Sequence, residues 1–158
     1  MNSQDIINTL SLQKHPEGGY YREIYRSPEV FKKSKDQIRS CGTIIYYLLE
    51  GHDYSRFHRL RSDEMWHYHQ GECIELNIIR EGEHSRSVLG PLTCRDAFPC
   101  ITIPAGSWFS ACIASGKGYA LVSCTVIPGF DFKDFELADA RLLAEAYPHL
   151  EELILRFG

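Results

Sequence analysis

SDEMWHYHQG, residues 62–71, is the stretch from which the fold can be worked out. It places a carboxylate, two imidazoles and two polar aromatic side chains ahead of a closing glycine. Such groups cost free energy on burial unless they find hydrogen-bonding partners, so an ordinary core strand would not carry them. With residues 57–60 just upstream, the stretch predicts two short strands joined by a turn at 61–63. We interpret these two strands as the wall of a site.

Around this stretch, residues 42–126 alternate between apolar segments and turns that contain glycine or proline. The run 43–49 is almost entirely apolar and is too short and too rich in β-branched and aromatic residues for a helix, so it predicts a buried strand. Short strands separated by glycine turns are typical of a sandwich, jelly roll or barrel. The sequence predicts strands at 43–49, 54–60, 64–69, 73–79, 85–89, 100–103, 107–113 and 119–127.

Upstream of these strands, Ser3 can cap a short N-terminal helix whose apolar residues share one face. Residues 15–19, HPEGG, predict a turn, because the proline fixes its entry and the two glycines permit positive φ. A strand is expected at 20–26. The polar residues 27–40 are expected to form a mobile loop.

Downstream of Pro128 the spacing of apolar residues becomes helical. It predicts two C-terminal helices packed on the β body, with apolar faces formed by Leu137, Ala140, Leu143 and Tyr147 and by Leu150, Leu153, Ile154 and Phe157. The chain is expected to form one all-β domain spanning residues 1–158.

The overall composition narrows the class of protein. With 44% apolar and 24% charged residues it fits a soluble globule, and a formal net charge of −4 argues against nucleic-acid binding. No window approaches the ~18 apolar residues of a membrane span and no signal pattern is present, so we expect no membrane partner and a cytoplasmic location. The six cysteines form no C-x-x-C pair and are expected to be buried free thiols.

Two spacings resemble the motifs of the cupin superfamily. The pattern His58-x-Leu60-x3-Glu64-x6-Gly71 is similar to the first cupin motif, in which a His-x-His pair, a glutamate and a glycine span two strands of a small β-barrel. Pro104-x-Gly106 is similar to the start of the second motif, which continues to another histidine. The resemblance implies a cupin-type double-stranded β-helix, that is, a jelly-roll barrel.

Longer motifs point to one part of that superfamily. HPEGGYYRE at 15–23, SDExWHYHxG at 62–71 and PGFDFxDF at 128–135 resemble a small bacterial and fungal cupin subfamily of undetermined function. This similarity extends over nearly the full length of the chain. The wider cupin relatives include the metal-free deoxysugar-nucleotide 3,5-epimerases.

The sequence departs from the cupin pattern at two metal-ligand positions. Leu60 stands where the second histidine of the pair would be, and Phe109 stands where the later histidine would be. A transition metal needs about three protein donors, so this register predicts no tightly held metal. A competing register, His67-x-His69-x5-Glu75, keeps two histidines on one strand face and makes a divalent metal at His67 and His69 the fallback.

In the favoured register His58 and Glu64 are the predicted catalytic residues. Two strands joined by a short turn run antiparallel, so the two side chains are expected to face one another with Cβ atoms ~5 Å apart. The nearby carboxylate should raise the pKa of His58 and burial should lower it, which we expect to leave the histidine titrating near neutrality. Alternatively, Glu64 is bound in a salt bridge to Arg59 or Arg61.

The predicted ligand-binding residues are Arg59, Trp66, Tyr68, Trp108 and Phe109. The aromatic residues among them fit a core equally well. Because side chains alternate along a strand, Glu64, Trp66 and Tyr68 should point inward, while His67 and His69 point to the outer sheet face or a subunit interface. The histidines at 15, 52, 84 and 149 are expected to lie in loops or at a helix start and are assigned no role.

Three functions are compatible with these residues. The first is a metal-independent cupin that binds a small polar metabolite such as a carbohydrate or nucleotide-sugar, with isomerase or epimerase activity. Here the resemblance places His58 where the epimerases have their general base. The second is a metal-dependent oxygenase or isomerase that uses His67 and His69, and the third is a non-catalytic ligand sensor. The resemblance to cupins and the need to cover sheet edges also predict a homodimer or larger homo-oligomer.

Overall fold

The computed structural model describes residues 2–34 and 37–158. Within these ranges the strands form two six-stranded sheets and a separate hairpin. The elements, in chain order, are α1 Ser3–Leu10, β1 Gln13–Lys14, β2 Tyr20–Arg26, β3 Val30–Ser34, β4 Gln37–Ser40, β5 Thr43–Glu50, β6 Tyr54–Arg59, β7 Asp63–Gly71, β8 Ile74–Arg80, β9 Glu83–Leu89, β10 Ala97–Phe98, β11 Cys100–Ile103, β12 Trp108–Ile113, β13 Tyr119–Ile127, β14 Glu136–Leu137, α2 Ala140–Ala146 and α3 Glu151–Arg156.

The two sheets pack face to face. Sheet I has the strand order β1-β2-β5-β13-β7-β11, and sheet II has the order β10-β9-β8-β12-β6-β14. Their inner faces meet in a core whose large side chains include Tyr47, Trp66, Leu76 and Phe109. Because non-consecutive strands are neighbours in both sheets, the chain crosses repeatedly from one sheet to the other, which is the connectivity of a jelly roll. The predicted all-β architecture is confirmed.

The helices pack on the outer faces of the two sheets, α1 on sheet I and the predicted C-terminal pair on sheet II. Asn2, rather than Ser3, caps α1 by accepting a hydrogen bond from the backbone N–H of Asp5. Asp139 caps α2, which therefore begins after Leu137, a residue that belongs to β14 instead. Helices α2 and α3 pack on sheet II. None of the described helices is long and apolar enough to cross a membrane.

The prediction of a mobile loop over 27–40 is wrong. Strands β3 and β4 pair there as an antiparallel hairpin, and residues 35–36 of the expected loop lie outside the described residues. The hairpin forms because Val30, Phe31 and Ile38 favour extended backbone. Arg39 fixes it to the rest of the molecule, since its guanidinium donates to both carboxylate oxygens of Asp134 at 2.6 and 2.9 Å.

The prediction that residues 54–60 and 64–69 form one hairpin is also wrong. Strand β6 belongs to sheet II and β7 belongs to sheet I, so residues 60–62 carry the chain from one sheet to the other. This crossing is held by the 104–106 turn: Gly106 N–H donates to the Leu60 carbonyl and Ala105 N–H donates to the Asp63 carboxylate, both at 2.8 Å. A tight antiparallel turn does not form because Leu60 is buried at the corner.

The cysteines are free thiols, but fewer are buried than predicted. Cys124 is buried between the sheets, Cys41 and Cys100 are exposed, and the others are half-buried. Cysteines in apolar strand segments were expected to point inward, but alternation along a strand directs some of them outward.

Candidate functional site

A cavity of about 430 Å³ opens between the two sheets at one end of the barrel. Ligand pockets commonly have volumes of ~300–1,000 Å³, so it is large enough for a small metabolite. Sheet I supplies one wall, β6 and the following corner supply the opposite wall, and segment 130–135 covers the side. The lining comprises Gln13, His15, Glu17, Tyr21, Glu23, Arg26, Thr43, Ile45, Tyr47, His58, Leu60, Glu64, Cys124, Val126, Phe130, Asp131, Phe132 and Phe135.

The loop formed by residues 15–19, HPEGG, joins the paired strands β1 and β2 of sheet I, packs against β6 of sheet II and carries Glu17 into the cavity. Its backbone is fixed by hydrogen bonds from Arg56 N–H to the Glu17 carbonyl and from the Tyr47 hydroxyl to the Gly18 carbonyl, both 2.8 Å long. Gly18 has φ +116°, and any Cβ there would collide with the carbonyl oxygen of Tyr54. Glycine is therefore required for the loop to pack so closely on β6.

Glu17 is a buried carboxyl group at the centre of a polar cluster. Its Oε1 accepts a hydrogen bond from the Ser55 hydroxyl at 2.9 Å. Its Oε2 lies 3.0 Å from His58 Nε2 and 3.5 Å from His15 Nδ1. Glu17 is only 6% exposed, and His58 is 2% exposed. Two imidazoles and a carboxyl are thus packed together away from bulk water.

The hydrogen bonds of His58 define its protonation state. Nδ1 lies 2.7 Å from the Arg56 carbonyl, which can only accept, so Nδ1 carries a proton. Burial lowers the pKa of His58 to about 4, and burial also raises the pKa of Glu17. Both shifts favour the uncharged partners. Because Nε2 and a carboxylate oxygen would both be acceptors, their 3.0 Å contact holds one proton, and the two pKa shifts favour the uncharged pair in which the Glu17 carboxyl donates to His58 Nε2.

His15 completes this cluster in its neutral form. The Glu17 backbone N–H donates to His15 Nδ1 at 3.2 Å, so that nitrogen is unprotonated and the other ring nitrogen carries the proton. Burial lowers the pKa of His15. Its ring packs edge-on against Tyr21, with centroids 4.5 Å apart. Thus His15 orients the cluster without adding charge to it.

Glu64 lies on β7, in the wall formed by sheet I, beside its cross-strand neighbour Val126. It is 7% exposed, and its Oε2 atom has no hydrogen-bond partner within the described structure. Burial, reinforced by the nearby carboxyl of Glu17, raises the pKa of Glu64 to about 8. Such a group is mainly protonated at neutral pH and can donate a hydrogen bond to whatever occupies the cavity.

The mouth of the cavity carries charges that are already paired. The Arg26 guanidinium makes a bidentate contact with Glu23, at 2.9 and 2.7 Å, and donates to the Phe130 carbonyl at 3.0 Å. Asp131 lies beside this group and lines the same opening. Three phenylalanines, at positions 130, 132 and 135, pack against one another over the side of the cavity with centroids 4.9–6.2 Å apart.

The structure brings His58 and Glu64 into one cavity, although not through the relationship expected from the sequence. They project from opposite sheets rather than from neighbouring strands of a hairpin. The carboxyl in contact with His58 is that of Glu17. The expectation that His58 titrates near neutrality is wrong, because burial outweighs the effect of its polar contacts.

The five predicted ligand-binding residues lie outside the cavity lining. Trp66 and Phe109 are core residues below it, with the Phe109 ring packed on His58 at 4.1 Å between centroids. Tyr68 donates its hydroxyl to the Gly71 carbonyl. Arg59 pairs with Glu136 and lies 4.4 Å over the ring of Trp108 on the other side of sheet II. The cavity occupies only one end of the barrel, so a side chain that points inward does not necessarily line it.

The residues of the competing register do not converge. His67 Nε2 lies 3.1 Å from the Thr125 hydroxyl on the outer face of sheet I, and His69 packs beside Tyr46. Glu75 lies on β8 in sheet II, where it pairs with Arg86. Because the glutamate and the histidines belong to different sheets, they form no common site.

The cavity does not fit a resident transition metal. Leu60 lines it, and Phe109 fills the space against His58, where the cupin pattern has histidines. Both nitrogens of His58 are engaged, by the Arg56 carbonyl and by Glu17. Within the described residues, the only group of three potential ligands whose donor atoms lie within 4.8 Å of one another is Glu50, His52 and Asp53, on a surface turn.

The residues that the sequence analysis missed are His15 and Glu17. They belong to HPEGG, whose proline and glycines are fully explained by turn formation. The sequence did contain one indication. Glu17 is a charged residue followed directly by two glycines, and paired glycines often mark a place where the backbone packs closely against another element.

Comparisons with known proteins agree with this architecture. A hypothetical protein from Leishmania major superimposes with a TM-score of 0.94 at 34% identity, covering 100% of this chain and 99% of that one. A protein from Shewanella oneidensis gives a TM-score of 0.91 at 37% identity, covering 100% and 98%. An uncharacterized protein from Saccharomyces cerevisiae is 26% identical over 145 residues, which is 83% of this chain and 72% of the yeast protein.

More distant structures share the fold alone. Oxalate decarboxylase from Bacillus subtilis gives a TM-score of 0.58 at 12% identity, with 92% of this chain matching 36% of the enzyme. The family model Cupin_5, described as cupin superfamily (DUF985), matches residues 4–138. The chain therefore belongs to the Cupin_5 (DUF985) family of the cupin superfamily.

Proposed function

We propose that this cupin binds a small polar metabolite of the carbohydrate class in the 430 Å³ cavity and acts on it as a metal-independent isomerase or epimerase. One observation carries the proposal: two acid–base groups, the Glu17–His58 pair and Glu64, lie in one buried cavity but project from different elements. Buried titratable groups with shifted pKa values are typical of sites that transfer protons.

The first group suits proton abstraction. A C–H bond next to a sugar carbonyl would lose its proton to Oε1 of Glu17 while the proton on Oε2 moves to His58 Nε2, so that the carboxyl relays the proton and the imidazole is the final acceptor. The electron pair of the broken bond moves onto the carbonyl oxygen and generates an enolate. The positive charge gained by the Glu17–His58 pair is then offset by the negative charge of the enolate in the same low-dielectric cavity.

The second group suits stabilisation of that enolate. Glu64, with a pKa of about 8, is mainly a neutral acid at pH 7, and its free Oε2 can carry the donated proton. A carboxylic acid kept neutral by an apolar site can donate a strong hydrogen bond to a developing oxyanion. Return of the proton to the same carbon or its neighbour completes epimerisation or isomerisation.

Solvent-exchange measurements test this proposal. We expect the protein to exchange a carbon-bound proton of a bound aldose or ketose with D2O, as followed by NMR over a panel of free hexoses and a nucleoside diphosphate hexose. The variants His58→Gln and Glu64→Gln should lower the exchange rate by ~10²-fold or more. Glu83→Gln, on the exposed β9 surface, is the matched control and should retain the native rate.

A non-catalytic sensor is the alternative that this experiment distinguishes. It would bind a hexose with His58 and Glu64 intact and show no exchange above the uncatalysed rate at any pH. That result would overturn the catalytic part of the proposal and leave ligand binding.

A further inference from the structure

The cavity has an unusual balance of charges for a site that binds a sugar derivative. Four carboxyl groups line it, at Glu17, Glu23, Glu64 and Asp131. Among the lining residues that the structure describes there is no lysine, and Arg26 is the one arginine. Because that guanidinium is already in bidentate contact with Glu23, no cation is free to bind an anionic ligand.

Glu64 is the group with unmet hydrogen-bonding capacity. The carboxyl of Glu17 is engaged on both oxygens, by Ser55 and by His58. Oε2 of Glu64, by contrast, is buried with no partner at hydrogen-bonding distance in the described structure, and the nearby Trp66 indole and Cys124 thiol only partly offset the rise that burial causes in the pKa of Glu64. A buried carboxyl oxygen without a partner costs free energy, and a ligand that brings an N–H or O–H donor removes that cost.

The rest of the lining favours a positively charged donor. The rings of Tyr21, Tyr47, Phe130, Phe132 and Phe135 surround the cavity. Aromatic rings attract organic cations through their electron-rich faces, and they attract neutral hydroxyl groups less. An ammonium group would be attracted both by these rings and by the carboxyl of Glu64.

We propose that the ligand carries a protonated amine that binds against Glu64, so that the substrate class is an amino sugar. This inference rests on the proposed function for the sugar part of the ligand. The ammonium would ionise Glu64, because a cation at hydrogen-bonding distance favours the carboxylate, and an N–H of the ammonium would then replace the Glu64 carboxyl as the donor to the enolate oxygen. Binding should therefore release a proton from Glu64 to solvent.

The direction of proton exchange distinguishes the ligand classes. The groups that act on Glu64 are the Glu17 carboxyl, the Trp66 indole and the Cys124 thiol on the adjacent strand, and His58 lines the same cavity. An ammonium lowers the pKa of the carboxyls and causes proton release. A neutral hexose leaves their protonation almost unchanged, and an anionic hexuronate raises the pKa of every group and causes proton uptake.

Titration calorimetry with glucosamine, glucose and glucuronate, in two buffers of different ionisation enthalpy at about pH 6.5, measures this exchange. We expect glucosamine to bind about tenfold or more tightly than glucose and to release close to one proton. Glu64→Gln should abolish both the preference and the release, and Glu83→Gln should change neither. Equal binding of glucose and glucosamine, or tighter binding of glucuronate, would overturn the inference.

These outcomes separate the inference from the proposed function. If glucosamine is not preferred but a neutral hexose exchanges its proton with D2O, the amine inference fails and the catalytic proposal stands. If glucosamine binds with proton release but no carbon-bound proton exchanges, the amine inference stands and catalysis fails.

A second inference concerns two thiols far from this cavity. Cys73, just before β8, and Cys94, in the turn after β9, have sulfur atoms 2.8 Å apart. This separation is longer than the ~2.05 Å of a disulfide bond, so the two sulfur atoms are in contact but are not bonded. Gly90 makes the contact possible, because a Cβ there would lie 2.6 Å from the sulfur of Cys73. Both cysteines are half-buried.

We infer that Cys73 and Cys94 form a reversible disulfide in the presence of a disulfide oxidant such as oxidised glutathione. One thiolate attacks the oxidant and displaces a glutathione thiolate. The second cysteine then attacks the mixed disulfide and displaces the other glutathione. The protein loses two electrons and two protons, and the oxidant becomes two molecules of reduced glutathione.

Peptide mapping after treatment of the folded protein with oxidised glutathione tests the inference. We expect a cross-linked peptide pair containing Cys73 and Cys94, reversed by dithiothreitol. The variant Cys73→Ser should instead retain glutathione on Cys94, and Cys112→Ser should cross-link like the native chain. Stable glutathione adducts on native Cys73 or Cys94, or no reaction there while Cys41 and Cys100 react, would overturn the inference.

Discussion

His58 and Glu17 share one proton across a 3.0 Å contact between Nε2 and Oε2. The opposite ring nitrogen of His58 is held by the Arg56 carbonyl, so the imidazole cannot turn away without losing a buried hydrogen bond. The two side chains therefore respond as a unit to any change in protonation.

Replacement of Glu17 by glutamine separates proton transfer from structure. The amide can still donate to His58 Nε2 and accept from Ser55, so the fold and hexose binding should be kept. It cannot accept and pass on a proton, and we expect exchange with D2O to fall by ~10²–10⁴-fold. Circular dichroism and the NMR exchange assay check the two expectations, with Glu83→Gln as the control. Unchanged exchange in Glu17→Gln would remove this residue from the mechanism.

Stability should depend on pH through Glu64 and His58 with opposite signs. The pKa of Glu64 rises on folding from 4.5 to about 8, so stability is lost as pH rises through this range. The pKa of His58 falls from 6.5 to about 4, so stability is gained as pH rises from 4 to 6.5. The two effects on the free energy of unfolding oppose one another up to pH 6.5. Above pH 6.5 the effect of Glu64 remains.

We therefore expect the free energy of unfolding to fall between about pH 6.5 and about pH 8, by of the order of 1 kcal/mol per pH unit. Urea unfolding at the two pH values measures it. Glu64→Gln should lose less stability over this range, and any dependence that remains is expected from Glu17, whose pKa is also raised by burial. A Glu64→Gln variant that loses stability as steeply as the native protein would contradict the assignment.

Gly18→Ala should destabilise the protein and displace Glu17. A methyl group at this position collides with the Tyr54 carbonyl, and φ is +116°. We expect a loss of ~2 kcal/mol or more in the free energy of unfolding. The matched control is Gly106→Ala, where φ is +79° but no atom lies within 4 Å of the added methyl group. Similar losses in both variants would show that backbone strain, rather than contact with β6, explains the requirement for glycine.

The sequence predicted much of this architecture because the information was local. Strand alternation and glycine turns defined most of the strands, and the cupin spacing brought His58 and Glu64 to one site. The sheet crossing at Leu60 was not predictable, because a three-residue connector serves equally as a hairpin turn or as a corner. Glu17 was missed because its partners, Ser55 and His58, lie about forty positions away in the chain and leave no trace in the local pattern.

The purified protein should contain no stoichiometric transition metal. Leu60 and Phe109 remove two imidazole donors, and the nitrogens of His58 are engaged in hydrogen bonds. Elemental analysis after purification without chelators should find well below one Mn, Fe, Ni or Zn per chain. About one equivalent of any of them would contradict the prediction, and its loss in a His58→Gln variant would locate the metal in the cavity.

We also expect a homodimer. Apolar side chains are exposed on β2 and on the adjacent hairpin, at Tyr25, Val30, Phe31 and Ile38. Contiguous exposed apolar groups are typical of an interface. Sedimentation should give twice the 18.1 kDa chain mass at micromolar concentration. Val30→Lys should weaken association, whereas Leu92→Lys, at an exposed position in a different loop, should not. A native monomer would contradict the prediction.

The way the 15–19 loop is anchored has a consequence for how this family could diversify. Backbone groups fix the path of the loop: the Glu17 carbonyl accepts from Arg56, and the Gly18 carbonyl accepts from Tyr47. The side chain at position 17 takes no part in these bonds. A single codon change from glutamate to glutamine could therefore remove the proton carrier while the contacts with Ser55 and His58, and the barrel, stay intact. The chemistry of the cavity could therefore change during evolution through variants that all still fold.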